Sequence, residues 1–252
     1  MNKELRGIDI SHHNGIINWE KVDTDFAIIK CTQGTKFLDP KFQANKNGIQ
    51  NAKILCGYYH FADAGDPLKE ADWFLKNVGD IQEGELVALD YETYALADPA
   101  DWCLRWLTRV EKKLGFKPLL YTYHGLLKKY NWSKVSENGN ALWAARYGLQ
   151  EQKPNLQYQP ATGSWKNYTI WQFCSKGKAK GITGNVDLNV VYLSLQDLKK
   201  FGKPKSLLIY KTPEVIPNVS PKPIAPTPTT PPATTSRTDF WKTLWNFLFT
   251  RK

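Results

Sequence analysis

Eight short apolar segments, each typical of a buried strand, recur between residues 5 and 189 of this 252-residue chain. In the first half they alternate with amphipathic segments of helical pattern, for example 67–78 and 99–114. Such alternation is typical of parallel strands joined by crossover helices, and eight strands predict a closed, TIM-like β/α barrel. The polar segment 150–166, which contains Gly and Pro, predicts an irregular second half. The predicted strands are 5–10, 26–31, 54–61, 86–94, 118–123, 141–147, 168–173 and 184–189.

Polar or ring-bearing side chains lie at or near the ends of most of these strands. In a parallel barrel the carboxyl ends of the strands meet at one mouth, where the chemistry of such folds is built. We therefore expect these side chains to surround a single site. They are Asp9, His60, Asp90, Glu92, Tyr121, Arg146, Gln172 and Asp187.

The fourth strand carries the most informative pair, because the apolar run 86–89 leads directly into Asp90 and Glu92. Residues i and i+2 of a strand point to the same side, so the two carboxylates should project together. Two close carboxylates in a low-dielectric site cannot both ionise easily, and one pKa should rise. A protonated acid beside an ionised one is what glycosidic bond cleavage needs. The alternative is a helix cap beside a surface acid.

The charge of the chain is unevenly distributed. The formal net charge is +10, and residues 203–252 hold eight Lys or Arg against two Asp or Glu, so the remainder is near neutral. A basic tail predicts an anionic partner such as a membrane surface, and we expect no nucleic acid partner and a monomer. Aromatic residues make up 13% of the chain and include 10 Trp, enough to provide ring platforms for a sugar, although core packing is the alternative.

The four cysteines show no metal-ligand spacing, so we expect buried thiols and neither a metal nor another cofactor. Residues 1–6 lack the apolar core of a signal peptide, and no apolar run is long enough to span a bilayer. We therefore expect synthesis in the cytoplasm and action outside it after release through a holin-type lesion or another export route.

The composition changes after the predicted domain, 1–202. Residues 203–238 are rich in Pro, Thr and Lys and are typical of a semi-extended linker. Residues 239–252 predict a basic amphipathic helix whose apolar face needs a binding surface. That surface is a membrane interface, a partner's groove or the chain's own domain, and we favour an anionic membrane. The apolar face holds Phe240, Trp241, Leu244, Trp245 and Leu248.

Several motifs, in order along residues 5–195, resemble glycoside hydrolase family 25, the Chalaropsis-type lysozymes. The resemblance implies an irregular β/α barrel that acts as an N-acetylmuramidase. Such an enzyme cuts the β-1,4 bond between N-acetylmuramic acid and N-acetylglucosamine in the glycan strands of peptidoglycan. The motifs are Gly7-Ile8-Asp9-Ile10-Ser11-His12-His13-Asn14-Gly15, Gly57-Tyr58-Tyr59-His60-Phe61, Leu89-Asp90-Tyr91-Glu92, Leu142-Trp143-Ala144-Ala145-Arg146-Tyr147, Ile170-Trp171-Gln172-Phe173 and Val186-Asp187-Leu188-Asn189.

The resemblance also implies roles for individual residues. Glu92 is similar to the general acid, and Asp90 to the partner that attacks directly or assists the N-acetyl group of the substrate. Asp9 and Asp187 match the remaining acids of the family's site. The implied substrate-binding residues are Tyr58, Tyr59, His60, Tyr121, Trp143, Arg146, Trp171 and Gln172, with barrel packing as the alternative for the two Trp.

One position departs from the family pattern. Where the family often has Lys-x-Thr/Ser-Glu-Gly, this chain has Lys30-Cys31-Thr32-Gln33-Gly34, so any role of that glutamate cannot be carried over. The resemblance, the missing signal peptide and the basic tail fit a phage endolysin or a bacterial muramidase. The alternative is a catalytically inactive glycan-binding barrel with a membrane-active tail, but clustered acids argue against it because a binding module does not need them.

Overall fold

A computed structural model of the chain describes residues 4–205. The predicted linker beyond residue 205 and the predicted helix 239–252 lie outside the described residues. The strands are β1 (Leu5–Ile10), β2 (Phe26–Gln33), β3 (Phe37–Leu38), β4 (Leu55–Phe61), β5 (Leu86–Asp90), β6 (Leu119–Tyr123), β7 (Leu142–Ala145), β8 (Ile170–Gly177) and β9 (Val186–Val191). The α-helices are α1 (Phe42–Asn51), α2 (Pro67–Asn77), α3 (Pro99–Leu114), α4 (His124–Lys129), α5 (Ser133–Glu137) and α6 (Leu195–Lys199).

Eight of these strands form a closed barrel. Their order is β1-β9-β8-β7-β6-β5-β4-β2, and β1 pairs with β2 to close the sheet, while the short strand β3 pairs with β2 outside the barrel. Strands β1, β2 and β4 to β8 pair in parallel with one another, from β1 through β2 and β4 to β8, which confirms the predicted irregular β/α barrel. The prediction was wrong for the last strand, because β9 runs antiparallel to both β8 and β1.

The alternation of side chains along the strands divides the core between the two faces of the sheet. One cluster fills the barrel interior, and a second, larger cluster lies between the outer face of the sheet and the helices. A third, small cluster on β8 and β9 consists of Trp171, Phe173, Cys174 and Val190. The interior is tight at its base, since a Cβ on Gly7 of β1 would collide with the ring of Phe26 on β2. The interior cluster includes Leu5, Phe26, Ile28, Leu55, Tyr59, Leu86, Ala88, Leu119, Tyr121, Trp143, Ala145, Ile170 and Val191.

Helix α3, predicted as the amphipathic segment 99–114, is capped at both ends. The side chain of Asp98 accepts a hydrogen bond from the Asp101 amide, Pro99 occupies the first turn, and Gly115 ends the helix at φ 79°. No helix between residues 4 and 205 combines the length and apolar character needed to cross a membrane. Strand β2 extends two residues beyond its predicted end, whereas β5 ends at Asp90, so Glu92 lies in the loop that follows.

Candidate active site

Four carboxyl groups meet at one mouth of the barrel. Asp9 on β1 lies directly opposite Asp187 on β9, and Asp90 is the last residue of β5. Glu92 follows two residues after Asp90 and lies on the same side of the chain, although the strand has ended. Its charge acts on the other three carboxyls. Asp187 lies near the start of β9, which reaches the same mouth because that strand runs in the opposite direction.

Asp9 is the most strongly hydrogen-bonded of the four. Its Oδ2 accepts hydrogen bonds from Gln172 Nε2 and Asn189 Nδ2, each at 2.7 Å. Burial raises the pKa of Asp9 to about 6, and the two hydrogen bonds and the charge of Glu92 have smaller effects. Asp9 is therefore mainly ionised at neutral pH.

Asp187 has a less favourable environment for its charge. Burial raises its pKa to about 8, with further contributions from the negative charges of Asp9 and Glu92. Asp187 is therefore largely protonated at neutral pH, and the mouth carries less negative charge than four acids imply.

Asp90 and Glu92 form a hydrogen-bonded carboxyl pair. Asp90 is 7% exposed, and its Oδ1 finds no hydrogen-bond partner among the described residues. Burial, then the charges of Glu92 and Asp9, raise the pKa of Asp90 well above its ordinary value. Desolvation also raises the pKa of Glu92, which remains exposed at the mouth, while the hydrogen bond with Asp90 and the charge of Lys30 oppose that rise. The pair therefore holds a proton, most firmly on Asp90.

A hydrogen-bond network fixes the amides that bind Asp9. Gln172 Oε1 accepts from Tyr121 Oη at 2.8 Å and from Tyr147 Oη at 2.6 Å, and this turns its NH₂ group toward Asp9. On the other side, Trp143 Nε1 donates to Asn189 Oδ1 at 2.8 Å. The Trp143 and Tyr121 rings meet edge to face, with centroids 4.6 Å apart, and form part of the interior wall below the mouth.

Comparison with known proteins identifies the family. The sequence model described as "Glycosyl hydrolases family 25" matches residues 8–182. The chain belongs to this family. It is 30% identical over 207 residues to lysozyme M1 of Streptomyces globisporus, covering 73% of this chain and 67% of that protein. It is 29% identical over 218 residues to the lysozyme of Streptococcus phage Cp-1, covering 81% of this chain and 58% of the phage protein.

The fold agrees with solved structures of the same family. The bacterial lysozyme from Streptomyces coelicolor matches with a TM-score of 0.65 and 26% identity, covering 81% of this chain and 99% of that one. The family 25 lysozyme from Aspergillus fumigatus matches with a TM-score of 0.62 and 27% identity, covering 79% and 99% respectively. The chain is therefore a glycoside hydrolase of the lysozyme type.

Of the eight residues predicted to bind substrate in this family 25 enzyme, five lie at the mouth or in the interior wall. Tyr59 projects into the interior, and burial followed by the charges of Asp90 and Asp9 raises its pKa well above its ordinary value. Arg146 lines a cavity beside Glu92. The other three are Tyr121, Trp143 and Gln172.

Three of the predicted substrate-binding residues face away from the mouth. Tyr58 packs in the outer cluster and donates a hydrogen bond to Glu85 at 2.8 Å. The outer face of the barrel also holds Trp171, whose Nε1 donates to the Arg146 carbonyl at 3.0 Å. Strand alternation is the reason, because each is adjacent in sequence to an interior-facing residue.

The third is His60, which lies in the helix layer. Its ring is fully buried between Thr32 and Glu70, at 2.8 and 3.0 Å, and it stacks on Trp106 with centroids 5.4 Å apart. Glu70 also accepts hydrogen bonds from the backbone amides of Asp63 and Gly65, so this cluster anchors the loop after β4. His60 is thus part of the helix–sheet packing.

Sequence reasoning missed three residues of the family 25 site: Lys30, Tyr147 and Asn189. Lys30 is 8% exposed, its Nζ donates to Gln33 Oε1 at 2.6 Å, and its charge acts on Asp90 and Glu92. Asn189 follows Asp187 by two residues, so strand alternation could have found it. Among the described residues, no three His, Cys, Asp or Glu side chains are grouped so as to hold a metal ion.

Proposed function

We propose that this family 25 glycoside hydrolase is an N-acetylmuramidase. It would cut the β-1,4 bond between N-acetylmuramic acid and N-acetylglucosamine in peptidoglycan. The single observation that carries the proposal is the meeting of Asp9, Asp90, Glu92 and Asp187 at one mouth, with a proton held between two of them. The lysozymes among its relatives support the same substrate class.

Glu92 acts as the general acid in this proposal. In the free enzyme the proton of the pair is held most firmly by buried Asp90. When a glycosidic oxygen lies against exposed Glu92, the proton moves along the hydrogen bond to Glu92, which donates it to the departing oxygen as the C1–O bond breaks. Asp90 is then ionised at the moment when positive charge develops on the sugar, and Lys30 stabilises that carboxylate.

Asp90 completes the reaction as the second carboxylate. It attacks the anomeric carbon, or holds the substrate's N-acetyl group while that group attacks, and ionised Glu92 then accepts a proton from the incoming water. Inverting glycosidases separate their carboxyls by about 6.5–9.5 Å to admit a water between them. Retaining enzymes place the two carboxyls closer, about 5–5.5 Å apart, and the contact between Asp90 and Glu92 is nearer to that arrangement, which supports the retaining course.

Asp9 and Asp187 have electrostatic and orienting roles in the proposal. Ionised Asp9 is held by Gln172 and Asn189 and stabilises the positive charge that develops in the transition state. Protonated Asp187 offers a hydrogen-bond donor to a sugar hydroxyl or acetyl group. Tyr59 and Tyr121 contribute the aromatic wall beneath the sugar.

The test is the replacement Glu92→Gln, assayed by release of reducing ends from purified peptidoglycan. Loss of the general acid should lower kcat by about 10² to 10⁴ while sedimentation with insoluble peptidoglycan remains. Glu83→Gln is the matched control, because Glu83 is exposed and precedes β5, at the end of the barrel opposite the mouth. Full activity of E92Q would remove Glu92 from the role. A wild-type protein that binds but never cleaves would favour the inactive glycan-binding barrel.

We further propose that residues 1–202 carry this activity. Residues 203–238 would tether a tail, 239–252, that engages an anionic membrane surface. The lysozymes from Streptococcus phages among the relatives support a phage endolysin, released from the cytoplasm through a holin-type lesion or another export route. The cell wall would be its site of action.

A further inference from the structure

A cavity of about 470 Å³ opens beside the acid pair. Its lining combines the Glu92 carboxyl with a cation, an imidazole and two phenols. Because Glu92 lines it, the cavity is placed to receive a substituent of a sugar bound at the acid pair. The lining residues are Glu92, Tyr123, His124, Ala145, Arg146 and Tyr147.

Arg146 brings an uncompensated positive charge to this cavity. Its Nη1 donates to the Gln159 carbonyl at 2.7 Å, and between residues 4 and 205 no carboxylate lies within ion-pair distance of its guanidinium. The positive charge that acts on Glu92 comes from Lys30. The four remaining N–H groups of Arg146 are therefore available to an anionic ligand.

His124 supplies a second donor with a fixed tautomer. Its Nδ1 accepts a hydrogen bond from the Ala161 amide at 2.8 Å, so the neutral ring carries its proton on Nε2. Burial lowers the pKa of His124, and the charges of Arg146 and Lys128 lower it further. The ring thus stays neutral with a donor N–H at Nε2, and within the described part of the chain no acceptor is found for it.

We propose that Arg146 and His124 form a carboxylate-recognition site for the muramic acid unit on the general-acid side of the cavity. This inference rests on the proposed muramidase function. The sugars of a peptidoglycan strand are otherwise uncharged, and carboxylates near the cleaved bond belong either to the lactyl ether of muramic acid or to the peptide attached to it. Guanidinium and imidazole donors with no acidic partner match a carboxylate in charge and in hydrogen-bond polarity.

A purely structural role for Arg146 is the alternative that an experiment must separate. The Nη1–Gln159 bond ties the start of the 146–160 loop to its end, and Gly148 in the same loop packs against the Tyr158 ring. Arg146→Gln keeps an amide donor for the Gln159 carbonyl but removes the charge. Lys128→Gln is the control, because Lys128 is an exposed cation near His124 that does not line the cavity.

The assay compares matched pairs of soluble glycan strands. One pair has free lactyl carboxylates or their methylamides, and the other has intact peptide stems or stems whose carboxylates are converted to methylamides. For the carboxylate form that is recognised, R146Q should raise KM about fivefold to tenfold with kcat within twofold. Neither variant should change KM for the methylamides, and K128Q should behave as wild type throughout. Added salt should raise the wild-type KM for the recognised form only.

The source of the carboxylate is identified by the pair of glycan strands for which R146Q no longer distinguishes the charged form from the methylamide. An effect with free lactyl groups assigns the lactyl carboxylate, and an effect with intact stems assigns a stem carboxylate. Equal loss on charged and neutral strands would make Arg146 a loop anchor only, and no loss on either would equally overturn the proposal. If the wild type cleaves none of the strands, the muramidase function itself fails.

Discussion

The substitution Asp187→Asn should stabilise the fold at high pH and leave it unchanged at low pH. The folded-state pKa of Asp187 is raised from 3.8 to about 8 by burial and by the charges of Asp9 and Glu92. The folded protein therefore binds this proton more tightly than the unfolded chain does. Stability falls as pH rises from about 4 to 8, and Asn, which cannot ionise, escapes that loss.

The pKa difference sets the magnitude. A shift of about four units at 1.36 kcal/mol each gives about 5–6 kcal/mol as an upper limit at pH 8. Asp187 is only half-buried, and its titration is linked to that of Asp9 and Glu92, so solvent and shared protonation reduce this value. We expect about 2–3 kcal/mol at pH 8, which corresponds to a rise in Tm of about 5–10 °C for a domain of this size.

The assay is thermal unfolding followed by circular dichroism at pH 4 and pH 8. Asp23→Asn is the control, because Asp23 is exposed and remote from the four acids. The gain for D187N should appear at pH 8 and vanish at pH 4, whereas D23N should match wild type at both. An equal gain at the two pH values, or a loss at pH 8, would refute the linkage between Asp187 ionisation and stability.

Two further predictions concern packing and domain organisation. Gly7→Ala drives a methyl group into the Phe26 ring and should cost about 1–3 kcal/mol in chemical denaturation, with partial recovery in G7A/F26L; an unchanged midpoint contradicts the packing. Truncation after Lys205 keeps the Gly84 amide bonded to the Lys203 carbonyl at 2.7 Å. Cleavage of purified peptidoglycan should stay within twofold while killing of whole cells weakens, and loss of cleavage by a folded truncation would contradict this division of roles.

The acid cluster could be predicted because strand periodicity is a strong local rule. Asp90 and Glu92 are two residues apart, and the chain keeps its parity past the end of β5, so both reach the mouth as predicted. The same rule, applied to β9, places Asn189 on the side of Asp187. Local spacing therefore identified the acids without any knowledge of which strands pair.

The side of the sheet on which each aromatic residue lies could not be predicted in the same way. Tyr58 and Tyr59 are adjacent in a strand that is buried on both faces, and both faces are apolar. Which of them faces the interior depends on which alternate set of side chains in β4 turns inward when the barrel closes. Tyr59 joined the interior cluster, while Tyr58 and His60 packed against the helices.

The antiparallel direction of β9 could have been predicted from the short connection that precedes it, but the barrel pattern was given more weight. Parallel strands need a crossover connection of a dozen or more residues, usually a helix. Only the short segment 178–185 separates β8 from β9, which is enough for a hairpin and too little for a crossover. Asp187 was therefore expected at the end of a parallel strand, whereas it reaches the mouth from the start of an antiparallel one.

Gln33 gives a physical meaning to the one departure from the family pattern. A glutamate at this position would pair with Lys30 and neutralise its charge. Gln33 accepts a hydrogen bond from Lys30 without that charge. Its Nε2 in turn donates to Asp63 Oδ1 at 2.9 Å. Lys30 thus keeps its position, over the Phe61 ring at 4.6 Å, with its charge directed to the acids at the mouth. Burial lowers the pKa of Lys30, and the negative charge of Asp90 is the largest of the charges that oppose this effect. Gln33 therefore holds Lys30 by a hydrogen bond without placing a negative charge beside it, and the charge of Lys30 favours the ionised form of Asp90.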